Sequence, residues 1–108
     1  MSTEATKAVL DHHQAMLDAS DLDGLMDDYT EDSFFVTNLT GTATGLEAIR
    51  AVFAGLGGAM PGFELLGEVV EGDVAYIWWK ADGIAFGTDT FLVRDGKIAN
   101  QTVGLHLG

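Results

Sequence analysis

The stretch AFGTDTFLVRDGKIANQ, residues 85–101, holds two runs of strand-forming residues joined by Arg94-Asp95-Gly96. Asp-Gly between apolar runs marks a tight hairpin, because glycine takes the positive φ such a turn needs. Period-two alternation puts Gly87, Asp89, Phe91 and Val93 on one face of the first strand, with Thr88, Thr90 and Leu92 on the other. If the Phe91 face is the inner one, Asp89 points into an apolar interior, where desolvation raises a carboxyl's pKa.

Outward from this hairpin the same grammar repeats. FELLGEVVEG (63–72), DVAYIWWKADG (73–83), IAFGTDTFLVRDG (84–96) and KIANQTVGLHLG (97–108) are four strand candidates divided by Glu-Gly-Asp, Asp-Gly and Arg-Asp-Gly turns. They form an antiparallel meander. The first half of the chain has helical spacing instead. Residues 4–19 place Ala5, Val9, Met16 and Leu17 on one stripe, with His13 on it, and SDLDGLMDDYTED (20–32) restarts a short helix. Ser20 is that helix's expected N-cap, and its stripe is Leu22, Leu25, Met26 and Tyr29. SFFVTN (33–38) is a strand, LTGTATG (39–45) a turn-rich connection. Thr44 and Glu47 make a capping box for a further helix that buries Leu46, Ile49, Val52, Phe53 and Leu56 and ends at GGAMPG. Helices set to one side of an antiparallel sheet define the α+β class, in one domain of 108 residues.

Composition narrows function. Seventeen acids against five bases give a formal net charge of −12, which repels phosphate backbones and anionic membranes. No nucleic-acid or membrane partner is expected. The absence of cysteine removes disulfides and thiolate chemistry, and the start of the chain lacks a signal-peptide pattern, so a cytoplasmic location is expected. GLGGAMPG follows a helix and lacks the lysine of a phosphate loop. His12 and His13 diverge by about 100° on a helix and His106 offers no clear third ligand, so neither a metal nor a cofactor is expected.

The stretches LDASDLDGLMDDYTEDSFF, GTATGLEAIRAVF and GTDTFLVRDGKIANQ lie in an order and spacing that resembles the nuclear transport factor 2-like superfamily, in its SnoaL-like and ketosteroid isomerase-like branch. The resemblance covers nearly the whole chain. It implies a cone, a curved antiparallel sheet wrapped around the N-terminal helices (the cystatin-like α+β barrel), with an apolar pocket inside and a homodimer formed through the outer sheet face. It places Asp89 where steroid isomerases carry an oxyanion-hole acid, His13 where they carry a tyrosine, and the Tyr76–Trp78 face inward, with Lys80 able to approach Asp89. The isomerase's proton-abstracting aspartate falls on Thr37 or Asn38, neither of which is a base near neutral pH. Standard steroid isomerisation is therefore not expected.

The expected function is that of a small-molecule pocket protein: an isomerase, cyclase or dehydratase working by proton transfer on a hydrophobic carbonyl-bearing substrate. Asp89 and His13 are the acid-base candidates, with Asn38, Tyr76, Trp78, Lys80, Phe91, Gln101 and Val103 around the ligand. The alternative is a non-catalytic domain that binds a lipophilic small molecule or only dimerises, because this fold hosts both kinds of protein.

Overall fold

The computed structural model describes residues 2–56 and 60–108. Helix α1 (Thr3–Asp18) starts where Ser2 accepts the Ala5 N–H at 3.1 Å, and it buries Thr6, Val9, Leu10 and His13 on one stripe. Ser20 is in the left-handed region at φ 55°, so it belongs to the turn that ends α1. The N-cap of α2 (Leu22–Met26) is Asp21, one residue beyond the expected Ser20, accepting from Gly24 N–H at 2.9 Å.

Strand β1 (Phe34–Thr37) pairs antiparallel with β2 (Gly41–Thr44), so the expected turn-rich connection carries a strand of its own. Its Gly-Thr-Ala-Thr composition lacks apolar alternation, and pairing with β1 supplies what propensity does not. Thr44 is thereby held opposite Phe34, and α3 (Leu46–Leu56) begins after Gly45, whose carbonyl accepts the first helical bond from Ile49 at 3.0 Å. Thr44 is a strand residue and not the expected cap. Ile49 and Phe53 are buried and Leu46 and Val52 half-buried, while the Leu56 side chain and the first three residues of GGAMPG, 57–59, lie outside the described residues.

The meander follows as β3 (Glu64–Glu71), β4 (Val74–Ala81), β5 (Ile84–Arg94) and β6 (Lys97–Leu107). The sheet order is β2-β1-β6-β5-β4-β3, open at both edges and curved. Every junction is antiparallel except β1 with β6, so the sheet is mixed. The helices cover its inner face, and the core closes between Val9, Leu10, Leu25, Ile49 and Phe53 and the sheet residues Ala75, Ile77, Phe91, Val93 and Ile98.

A bulge near the Asp82-Gly83 turn decides which side chains of β4 face inward. Ala81 pairs with Ile84, but Trp79 pairs with Gly87, so β5 carries one extra residue. An unbulged two-residue hairpin would set Asp89 opposite Tyr76; the extra residue sets it opposite Ile77. The inner face of β4 is therefore Ala75, Ile77 and Trp79, all buried, and Tyr76, Trp78 and Lys80 project from the outer face. This overturns the expectation that the Tyr76–Trp78 face turns inward. Phe91 is buried, while Phe34, Tyr76 and Phe86 are exposed.

Candidate functional site

The inner face encloses a cavity of about 460 Å³. Its walls are mainly apolar: Leu17 from α1, Val52 and Phe53 from α3, Met60 and Phe63 before β3, and Ile84, Val103 and Leu105 from the sheet. Polar groups reach it at His13, Gln14, Asp18, Thr37, Thr40, Asp89 and Gln101. No lysine or arginine lines it among the described residues.

Asp89 is the centre of a built network. The Trp79 indole Nε1–H donates to Oδ1 at 2.8 Å, and the Gln101 amide Nε2–H donates to Oδ2 at 2.9 Å. The hydroxyl of Tyr29 donates in turn to Oε1 of Gln101 and stands 3.5 Å from His13 Nδ1. Each member is put there by its element. Trp79 reaches diagonally from β4 because its register partner is Gly87; a Cβ on that glycine would lie 2.6 Å from the indole ring. Gln101 faces inward opposite Phe91, after a shift between Leu92 and Val93 lets both Ile98 and Gln101 turn in. Tyr29 sits in the turn after α2, where its N–H bonds to Met26 O at 3.1 Å.

Electrostatically the site is a buried carboxylate among neutral donors. Burial pushes Asp89 up from 3.8 to about 6, against the Trp79 and Gln101 hydrogen bonds, which hold it down. Burial, and secondarily the neighbouring His12, lowers His13 to about 3, so its imidazole is neutral at physiological pH. Burial and the nearby Asp89 charge raise the Tyr29 phenol well above its ordinary value. Both donors to Asp89 are N–H groups that favour an acceptor. In this arrangement the carboxyl is set up to receive a proton, whereas an oxyanion-hole acid must hold one to donate.

The remaining expected site residues fall into four groups. His13, Gln101 and Val103 line the cavity with Asp89. Phe91 is fully buried and packs edge-on against the His13 ring with centroids 5.1 Å apart. Tyr76, Trp78 and Lys80 lie across the sheet from the cavity: Tyr76 stacks beside Trp78 at 5.7 Å, and Lys80 pairs with Glu64 at 3.2 Å, not with Asp89. Asn38 is exposed and spends its amide on the Leu105 backbone, donating to the carbonyl and accepting from the N–H, both at 2.9 Å. It is a clamp between the end of β1 and β6. Thr37 is the cavity-lining residue of that pair. It shares a row across the sheet with Val103, Asp89 and Ile77. His12 turns away and binds Asp28 through Nδ1 at 2.8 and 2.9 Å.

Sequence reasoning missed Trp79 and Tyr29. The bulge hid the first. The second carried a usable signal, since a tyrosine inside an apolar stripe buries a hydroxyl that must find a partner.

An α+β cone around an apolar cavity is the architecture of the nuclear transport factor 2-like superfamily, and the comparisons with known proteins agree. Residues 9–101 match the model of the SnoaL-like domain, and the chain belongs to that family. No curated protein matches it by sequence. Among solved structures, an NTF-2 like protein of unknown function from Burkholderia xenovorans superposes with a TM-score of 0.84 at 22% identity, over 100% of this chain and 88% of that one. A candidate ketosteroid isomerase from Kribbella flavida gives 0.78 at 16% identity, covering 97% and 80% of the two chains. A candidate polyketide cyclase from Sinorhizobium meliloti gives 0.76 at 20% identity, covering 89% and 93%. At these identities the likeness is one of fold.

Proposed function

We propose that the protein takes a neutral, largely apolar, carbonyl-bearing small molecule into the cone, and that Asp89 acts on it as a general base. The observation that carries this reading is the Asp89 carboxylate at the cavity wall, titrating near 6 between two neutral N–H donors. A base with that value is mostly ionised at neutral pH yet far more basic than an ordinary carboxylate. Abstraction of a proton from carbon next to a carbonyl opens isomerisation, ring closure or dehydration; the first two are the activities named for two solved structures of this fold. The cavity lacks a cationic side chain among the described residues, so it favours uncharged substrates over carboxylates and phosphates. The developing enolate would take a hydrogen bond from a neutral donor at the cavity wall, the Thr37 hydroxyl or the His13 ring.

One feature supports a ligand-binding role without turnover: the resemblance puts the isomerases' base at Thr37 or Asn38, neither of which is a base, and Asp89 is the carboxylate of the buried network among the described residues. Hydrogen–deuterium exchange separates the two roles. Bicyclic and tricyclic ketones in D₂O, followed by proton NMR, should exchange their α-protons with the protein and not with Asp89→Asn. Ketones that bind without exchange support the carrier role, and exchange that survives Asp89→Asn refutes the base.

The same reading includes a homodimer through the outer sheet face. Val69, Val74 and Tyr76 are 54%, 41% and 38% exposed there, and the middle row of that face reads Val36, Thr102, Thr90, Tyr76, Val69 without a charge. In a chain of net charge −12, an uncharged row across that face fits a second copy of itself.

A further inference from the structure

Asp89 is held by two donors of different kinds. The Trp79 indole has only an N–H to offer, so its bond to Oδ1 has a fixed direction. The Gln101 amide is ambivalent: rotated by 180° it would present a carbonyl oxygen in place of Nε2–H. Two arrangements are therefore self-consistent. In one, Asp89 is ionised and Nε2–H donates to it. In the other, Asp89 carries a proton and donates to the rotated carbonyl, while Nε2–H faces the Tyr29 oxygen. The structure shows the first, in which the phenol donates to Oε1. In the second the phenol would accept from Nε2–H, and among the described residues its own proton would have only His13 Nδ1, 3.5 Å away, to bond, so Tyr29 biases the amide toward the first. Tyr29 and Gln101 are 3% and 1% exposed, so water does not compete for these bonds.

We propose that Tyr29 is a positioning residue: by donating to Gln101 Oε1 it locks the amide with Nε2–H toward Asp89 and so keeps that carboxyl in its proton-accepting form. The inference builds on the reading of Asp89 as a base, but Tyr29 touches neither the carboxylate nor the cavity in this role; it acts through Gln101. The titratable groups facing Asp89 and its partners are few. His13 approaches from α1, with Asp18 at the cavity wall on the same helix; Tyr29 follows α2, with Asp28 beside it; β4 and β6 contribute the non-titrating Trp79 and Gln101. His13 is neutral, and Asp28 is engaged by His12. Among the described residues the Tyr29 phenol is the group hydrogen-bonded to Gln101 Oε1, and so the one that sets the amide's orientation.

The test reads the Asp89 carboxyl in the free protein, without any substrate. Carbon-13 NMR of aspartate-labelled protein, with Asp89→Asn to assign the resonance, gives its titration midpoint. Tyr29→Phe deletes only the hydroxyl; the amide gains freedom to rotate, and the midpoint should rise by about one pH unit, the worth of one hydrogen bond to a charged group. Gln101→Met tests the same link while leaving Tyr29 in place and should raise the midpoint by at least as much. In the double variant Tyr29→Phe adds nothing further. An unmoved midpoint in either folded single variant, or equal shifts of Tyr29→Phe with and without Gln101, overturns the proposal. Because the readout needs no turnover, a failed ketone exchange assay would remove the catalytic role of Asp89 and leave this result standing.

Discussion

Replacing Asp89 by asparagine should make the folded protein more stable at neutral pH while destroying its proposed base. The carboxyl titrates near 6 when folded and at 3.8 in an exposed chain. The folded state thus binds the proton more tightly, and stability falls as pH rises through the window between those two values. Below it both states are protonated and the group costs nothing. Above it the penalty for burying the charge is complete, about 3 kcal/mol. Asparagine removes that penalty but leaves its own N–H₂ facing one existing donor. The Trp79 indole cannot turn, so the asparagine carbonyl faces Trp79 and the mismatch falls on Gln101, at a cost of about 1–2 kcal/mol. The net gain above pH 7 is about 1–2 kcal/mol, or roughly 4–8 °C in Tm for a domain of this size. Below pH 4 the gain disappears and only the mismatch remains, so the sign of the difference reverses. Paired thermal unfolding of the two proteins from pH 4 to 8, at matched concentration, measures it. A variant less stable than the parent at pH 8, or a difference that does not change with pH, would refute the reasoning.

Other outcomes follow from the same geometry. Gly87→Ala puts a methyl 2.6 Å from the Trp79 ring, which must leave its place over β5; a loss of about 1–3 kcal/mol is expected in urea unfolding, together with a changed indole fluorescence. His13 titrates at about 3 when folded against 6.5 when exposed, so the stability it contributes as a neutral group is present above 6.5 and drains away as pH falls toward 3. His13→Leu should move the acid-unfolding midpoint, read by circular dichroism, to lower pH. Glutamate at position 76 or 69 on the outer face should convert a dimer to a monomer in sedimentation velocity, with the cavity intact; a parent that is monomeric at micromolar concentration contradicts the interface.

The meander and the helices were legible because local chemistry dictates them: Asp-Gly turns at 82–83 and 95–96, and 3.6-residue stripes that end in caps or glycine. Strand β2 was not, because Gly41-Thr42-Ala43-Thr44 has no strand pattern and owes its conformation to its neighbour β1. The face of Asp89 could be read from alternation within its own strand. The face of β4 could not, because one extra residue in β5 between Ile84 and Gly87 shifts the cross-strand partners, and nothing in the local composition announces a bulge. That single shift exchanged Trp79 for Tyr76 and Trp78 at the site and sent Lys80 to Glu64. Asn38 was misplaced for a related reason: a polar residue at a strand end can serve a ligand or the backbone, and the parallel pairing of β1 with β6, invisible at a separation of some sixty residues, decides for the backbone.

The central claim is that Asp89 is a buried base facing an apolar cavity, and the pH dependence of α-proton exchange tests it most directly. With a ketone that binds the cone, the exchange rate per bound ligand should rise with pH through an inflection near 6 and level off above it, and Asp89→Asn should abolish the pH-dependent part. A rate without an inflection between pH 5 and 7, or a profile shared by Asp89→Asn, would contradict the account.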